Sequence, residues 1–360
     1  MSDDLFSQLF ELFNAPGPVN WKLGAEVAKQ LAGDAVPLDP WITEEYQDLG
    51  RLAQLQLEAT TPLSPDSSVD IQPTDKRSWI EANLKAYDYL VADVAAPELS
   101  PDDPMAMIMQ PIMPAMLGLQ MGSFVGFLGH RALGSFDAGF PSSQPAPPQL
   151  IVPNLEAMAA DYDLDRRQVR LWGAVQEVAH KTFADQAWVR PLLKERAAQY
   201  AAGIGLDLSG LFERFQSISD PTEIQRLMED PVGLSGLMSP DDQRASLGDL
   251  HALVIVLAGY VEYLLDTMGE KLLPELSRIR SAHAVLRSEP TGGDQMLDRL
   301  VGIEISADAY ELGRVFVAEV AGRWGADAAH RLLEGPEMMP SISEVKDPVA
   351  WAARVLLPDI

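Results

Sequence analysis

The chain has no cysteine among its 360 residues, which excludes disulfides, thiolate nucleophiles and any metal site built on sulfur. Only nitrogen and oxygen donors remain for a metal. Positive charge is also scarce: 27 Lys and Arg stand against 53 Asp and Glu, a formal net charge of −26. Such a surface repels phosphate backbones and anionic lipid heads, so neither nucleic acid nor a membrane is an expected partner. The same charge keeps a surface solvated and free of aggregation, and leaves a basic protein partner as the specific alternative. No basic segment followed by an apolar signal core opens the chain. Met1 to Asp4 is acidic, and Leu5-Phe6, Leu9-Phe10 and Leu12-Phe13 return at the spacing of a short amphipathic helix, so a cytoplasmic protein is expected. There is no glycine-rich phosphate loop and no serine in a nucleophile elbow, which removes the usual support for phosphoryl transfer and serine hydrolysis.

What is present is mostly helix punctuation. Asp220-Pro221-Thr222-Glu223, Ser239-Pro240-Asp241-Asp242 and Asp347-Pro348 each place a capping acid or hydroxyl before a proline that suits the first helical turn. Trp79, Ala82, Leu84, Tyr87 and Leu90 recur with helical period, as do apolar residues from Tyr310 to Ala321. The one clear strand is Gln149-Leu150-Ile151-Val152, bounded by prolines, with a partner expected from Ala132 to Phe140. The proline-rich stretch 141–148 reads as a linker or rigid loop between an N-terminal helical lobe, 1–140, and a C-terminal lobe, 149–360, in one compact unit. Met105 to Gly129 carries no charge over 25 positions, long enough to cross a bilayer. Pro111, Pro114, Gln110 and Gln120 interrupt it, however, and Gly118, Gly122 and Gly126 share one face where a second backbone can approach. A buried core helix is the expected outcome. His251 to Asp266, apolar nearly all round, is expected in the core, its central run too short for a bilayer.

The stretch with chemical content is Leu171-Trp172-Gly173-Ala174-Val175-Gln176-Glu177-Val178-Ala179-His180. On a helix, the two histidines of H-E-x-x-H point at one zinc while the adjacent glutamate polarises the metal-bound water. Here Glu177 and His180 stand in the places of the general base and the second ligand, but position 176 is glutamine. An amide oxygen is a weak, uncharged ligand beside an imidazole. Taken alone, the pattern reads first as a core histidine with a bonded ring beside a surface acid.

The wider sequence adds a resemblance. Leu171-Trp172 through His180, followed by Trp188, is similar to the signature LW-x-A-L-H-E-x-x-H … W of a zincin-like family of candidate actinobacterial hydrolases. Some of its members are associated with biosynthesis of the deazaflavin redox coenzyme. Gly17-Pro18-Val19-Asn20-Trp21, Gly118 to Gly122 with Phe127-Leu128, Leu133-Gly134-Ser135-Phe136-Asp137, Ile151 to Asn154 and Val345 to Trp351 resemble further family segments in order. The resemblance implies a mainly α, α+β zincin-like fold: a helical N-terminal lobe, a short-strand element, a pair of active-site helices and a helical C-terminus. It also implies a third zinc ligand from a helix reading L-L-E-G-H/Y-x-x-x-V-x-D. The matching run, Val256 to Asp266, keeps Gly259 and Asp266 but has Ala258 in place of the ligand glutamate.

With Gln176 and Ala258 at ligand positions, Glu177 and His180 become vestiges and no cofactor is expected. Glu262, one turn beyond Ala258 and about 6 Å further along the axis, is the substitute that could rebuild a site with His180. The expected function is a non-catalytic metallopeptidase homologue that binds a protein or peptide. The alternative is an active zinc-dependent hydrolase or peptidase, with Glu177 as general base and a non-standard metal set.

Overall fold

Helix starts follow the caps carried by the sequence. The computed structural model describes residues 17–63, 65, 69–92, 104–137, 141–202, 241–288 and 307–357; the runs at Leu5 to Phe13 and Asp220 to Glu223, and the cap at Ser239-Pro240, lie outside them. Helix α1 (Trp21–Ala32) is capped by Asn20, whose side chain accepts from the Leu23 N–H. Helix α2 (Pro40–Thr60) begins on a proline, where the missing N–H has no helical partner to lose. Strand β1 (Gln72–Thr74) leads into α3 (Lys76–Asn83), capped by the Asp75 carboxylate. This helix is shorter than its apolar period suggested. Asn83 donates to the Trp79 carbonyl and to Gln149, tying the helix end to the strand region, and Leu84 to Leu90 continue as turns and a short 3-10 helix.

Helix α4 (Pro104–Arg131) is the long uncharged run, and β2 (Gln149–Ile151) follows the proline-rich stretch. Helices α5 (Val152–Asp161), α6 (Arg166–Ala184), α7 (Val189–Ala202) and α8 (Asp241–Met268) come next. They are followed by α9 (Leu276–Ser288), α10 (Ala307–Trp324) and α11 (Ala326–His330). Helix α12 (Ile342–Lys346) opens in a complete capping box between Ser341 and Glu344, and α13 (Pro348–Leu356) starts on Asp347-Pro348 as its cap predicts. The fold is therefore mainly α with a minimal β element.

The strand has a second partner beside the one expected. β2 pairs in parallel with β1, Gln72 opposite Gln149 and Thr74 opposite Ile151. The 132–137 segment supplies only one antiparallel bridge, Gly134 to Leu150. Its Ser135 N–H donates to the Gln149 carbonyl and its Leu133 carbonyl accepts from Ile151 N, while the Phe136 N–H points the other way and donates to the Glu177 carboxylate.

The glycine face of α4 meets α1 as its spacing predicts. A β-carbon on Gly118 would collide with the Asn20 carbonyl, and one on Gly122 with that of Gly24. A second bare crossing joins α8 to α10, where Gly259 lies against the Gly313 backbone and Gly313 against the Ile255 carbonyl. Helix α8 exceeds its sequence expectation in length: Gly248–Met268, 21 residues, is long and apolar enough to cross a membrane, yet 78% of its apolar window is buried within the protein.

Two apolar cores result. The first gathers Tyr46 and Leu57 of α2, Val175 and Phe183 of α6, Val256, Tyr260 and Leu264 of α8, and Trp351 of α13, so it draws on both sides of the 141–148 stretch. The second gathers Trp79, Tyr87 and Phe124 with Leu193 of α7 and Leu250, Leu253 and Val254 of α8. Alternation along β2 sends Leu150 to the first core and Ile151 to the second, as expected of a strand buried on both faces.

Candidate functional site

Helix α6 is almost wholly inside: thirteen of its residues between Val169 and Ala184 are buried, Glu177 and His180 among them. Charge pins its outer side. Arg170 donates to Glu45 of α2 at 2.8 Å and to Glu156 of α5 at 2.7 Å. The spacing of 176 and 180 puts both on one face, as read from the sequence.

His180 is 5% exposed. Its Nδ1 lies 2.8 Å from the Gln176 carbonyl, an oxygen that can only accept, so Nδ1 carries the proton. Nε2 is then a lone-pair nitrogen, buried without a hydrogen-bond partner among the described residues. Phe136 stacks on the ring, centroids 5.7 Å apart. Burial lowers the imidazole pKa to about 4, against the pull of the Gln176 bond, so the ring is neutral at pH 7.

Glu177 is 2% exposed. Its Oε1 accepts from Phe136 N at 3.0 Å, while Oε2 has no partner among the described residues. Burial pushes its pKa up to about 8, opposed by backbone bonds from Phe136 and Ser135. The 133–137 turn sits so close that a β-carbon on Gly134 would collide with the carboxylate. Beneath that turn, Asp137 accepts from His283 at 2.7 Å, from Arg287 at 2.8 Å and from Leu133 N at 3.0 Å. Burial alone would favour its neutral form, but His283 and Arg287 outweigh this and hold the carboxyl well below the usual range. His283 is thus a bonded histidine, packed edge-on against Trp172.

Across the helix pair, Glu262 of α8 faces position 176. Gln176 Nε2 donates to Glu262 Oε1 at 2.6 Å, and Arg280 Nε of α9 donates to Glu262 Oε2, also at 2.6 Å. The offset of one turn from Ala258 brings the Glu262 carboxylate to the Gln176 amide. Ala258 is 2% exposed. Arg280 also bonds the Glu262 carbonyl at 2.9 Å and the Asp266 carboxylate. Asp266 in turn takes Arg314 of α10 at 3.2 Å.

The sequence profile of the family described as zincin-like metallopeptidase matches residues 19–352. The chain belongs to this family. The crystal structure of a candidate hydrolase with a novel fold from Chloroflexus aurantiacus is similar in fold, with a TM-score of 0.67 and 24% identity over 95% of this chain and 100% of that one. No curated protein matches the chain.

Zincin-like metallopeptidases usually bind zinc, and the residues of this member suit the ion only in part. His180 Nε2 is a suitable donor. Gln176 turns its N–H toward Glu262, and an N–H cannot bind a cation. Both Glu262 oxygens are already engaged, one of them by a guanidinium whose charge repels a metal. Among the described residues no three His, Asp or Glu side chains gather in a metal-binding group. In this arrangement the zincin-like site does not fit a tightly held zinc.

Two parts of the site went unread in the sequence, Arg280 and the gathering of Asp137, His283 and Arg287, and the 133–137 turn was read only as a family segment, without its contact to Glu177. Asp137 was visible within the Leu133 to Asp137 family segment, the only signal of any of them. Arg280 lies on a polar helix, and nothing local marks it as facing Glu262.

Proposed function

We propose that this zincin-like metallopeptidase homologue has lost its zinc ligands and acts by binding a protein or peptide rather than cutting one. The observation that carries the reading is the 2.6 Å bond from Gln176 to Glu262, with Arg280 on the other carboxylate oxygen. Groups that would face a metal are bonded to one another. The net charge of −26 favours a basic segment on the partner and disfavours nucleic acid.

Elemental analysis of protein purified without chelator tests this. The expected zinc content is far below one per chain, with no hydrolysis of a mixed peptide library after zinc is added. A content near one per chain, with peptide cleavage abolished by Glu177→Gln, would establish the second reading instead, a metal-dependent hydrolase. One observation favours that alternative: Glu177 and His180 remain side by side on α6 with Nε2 of His180 unpartnered among the described residues. On that reading Glu177 is the general base.

A further inference from the structure

We infer that Arg280 is the protein's own cation at this site, joining α6, α8 and α9 by the electrostatic cross-link that a bound metal would otherwise give, and barring a metal from it. The inference deepens the reading above and rests on it. Glu262 is 7% exposed, and a carboxylate so buried needs a countercharge as well as donors. Arg280 meets the need in three ways: Nε on Glu262 Oε2 at 2.6 Å, a second nitrogen on the Glu262 carbonyl at 2.9 Å, and the third on Asp266. The remaining carboxylate oxygen is filled by Gln176 from α6. One guanidinium thus holds two successive acids of α8, one turn apart. It sits where a cation bridging positions 176 and 262 would find its charge already compensated. A planar, permanently charged fork suits this geometry better than an ammonium would.

Two sets of variants of the full chain test the inference. In the first, Gln176→His supplies a second imidazole facing Glu262, alone and together with Arg280→Met, and zinc chloride is titrated by calorimetry. The double variant should bind zinc at least about 10-fold more tightly than Gln176→His alone, and its Tm should climb with zinc concentration. Equal affinity in both would overturn the role of Arg280 while leaving the loss of zinc in the parent chain intact. Stoichiometric zinc in the parent would overturn the functional reading itself.

The second set needs no metal. Arg280→Met leaves Glu262 buried without its countercharge and should lower Tm by roughly 5–10 °C. Adding Glu262→Gln should recover much of that loss, because the countercharge is then no longer required. If Glu262→Gln/Arg280→Met melts no higher than Arg280→Met, the guanidinium does not act through charge and the inference fails. Should Arg280→Met be too unstable to purify, the same comparison is made with Arg280→Lys, which keeps the charge and loses the fork. It should melt below the parent and above Glu262→Gln/Arg280→Lys, which lacks the charge pair; an Arg280→Lys that melts no higher than that double variant would overturn the inference.

Discussion

Glu177 holds its proton at a pH where a solvated glutamate has lost it. Burial raises its pKa from 4.5 to about 8, the Phe136 and Ser135 bonds pulling the other way. A folded-state value above the unfolded one contributes stability that is fully present below the unfolded pKa and drains away as pH rises through the folded one. Glu177→Gln removes the titration and keeps an acceptor for Phe136. The variant should match the parent in stability near pH 4 and be the more stable at pH 8, by up to about 4 kcal/mol and with a correspondingly higher Tm. Parallel melting curves at both pH values would show that the carboxylate is not sealed from water. Asp137 behaves oppositely. Its depressed pKa stabilises the fold above the unfolded carboxylate value and is lost as pH falls. Asp137→Ala removes the buried carboxylate that compensates Arg287 and holds His283, so chemical denaturation at pH 7 should show a loss of about 3–5 kcal/mol. The placement of Gln176, Glu177 and His180 on one helix was legible because a spacing of four is local. Whether Glu262 would meet Gln176 depended on the offset between two packed helices, which no single segment records.

At the scale of elements, bare backbone crossings decide where helices touch. Gly122 and Gly259 have carbonyl or backbone atoms of α1 and α10 where a β-carbon would stand. Each glycine-to-alanine change there should cost about 1–3 kcal/mol or more by urea denaturation, since the helices must separate. Gly322, exposed near the end of α10 with nothing around its missing β-carbon, is the control. Gly322→Ala should raise stability by up to about 1 kcal/mol through helix propensity alone. If Gly259→Ala proves as harmless as Gly322→Ala, α8 and α10 do not pack as described. Helix starts at Asp75, Asp165, Ser341 and Asp347 are set by side chains within three residues of the backbone they cap; of these only Asp347, marked by the following Pro348, was read directly. The parallel partner of β2 could not be read. β1 is three residues long and contains a proline, so it gives no alternating pattern of its own.

For the whole molecule, the two cores share α8. Leu250, Leu253 and Val254 serve one, while Ala252, Ile255, Val256 and Leu257 serve the other. The two sets therefore interleave within one uninterrupted stretch of a single helix. Loosening either core withdraws apolar support from the same hydrogen-bonded rod, and a helix half stripped of its packing gains little from its own propensity. Differential scanning calorimetry should accordingly record one endotherm, with calorimetric and van't Hoff enthalpies in agreement; two resolved peaks would show that the cores part company. A ligand gripping only one end of the protein would then slow hydrogen exchange at the other.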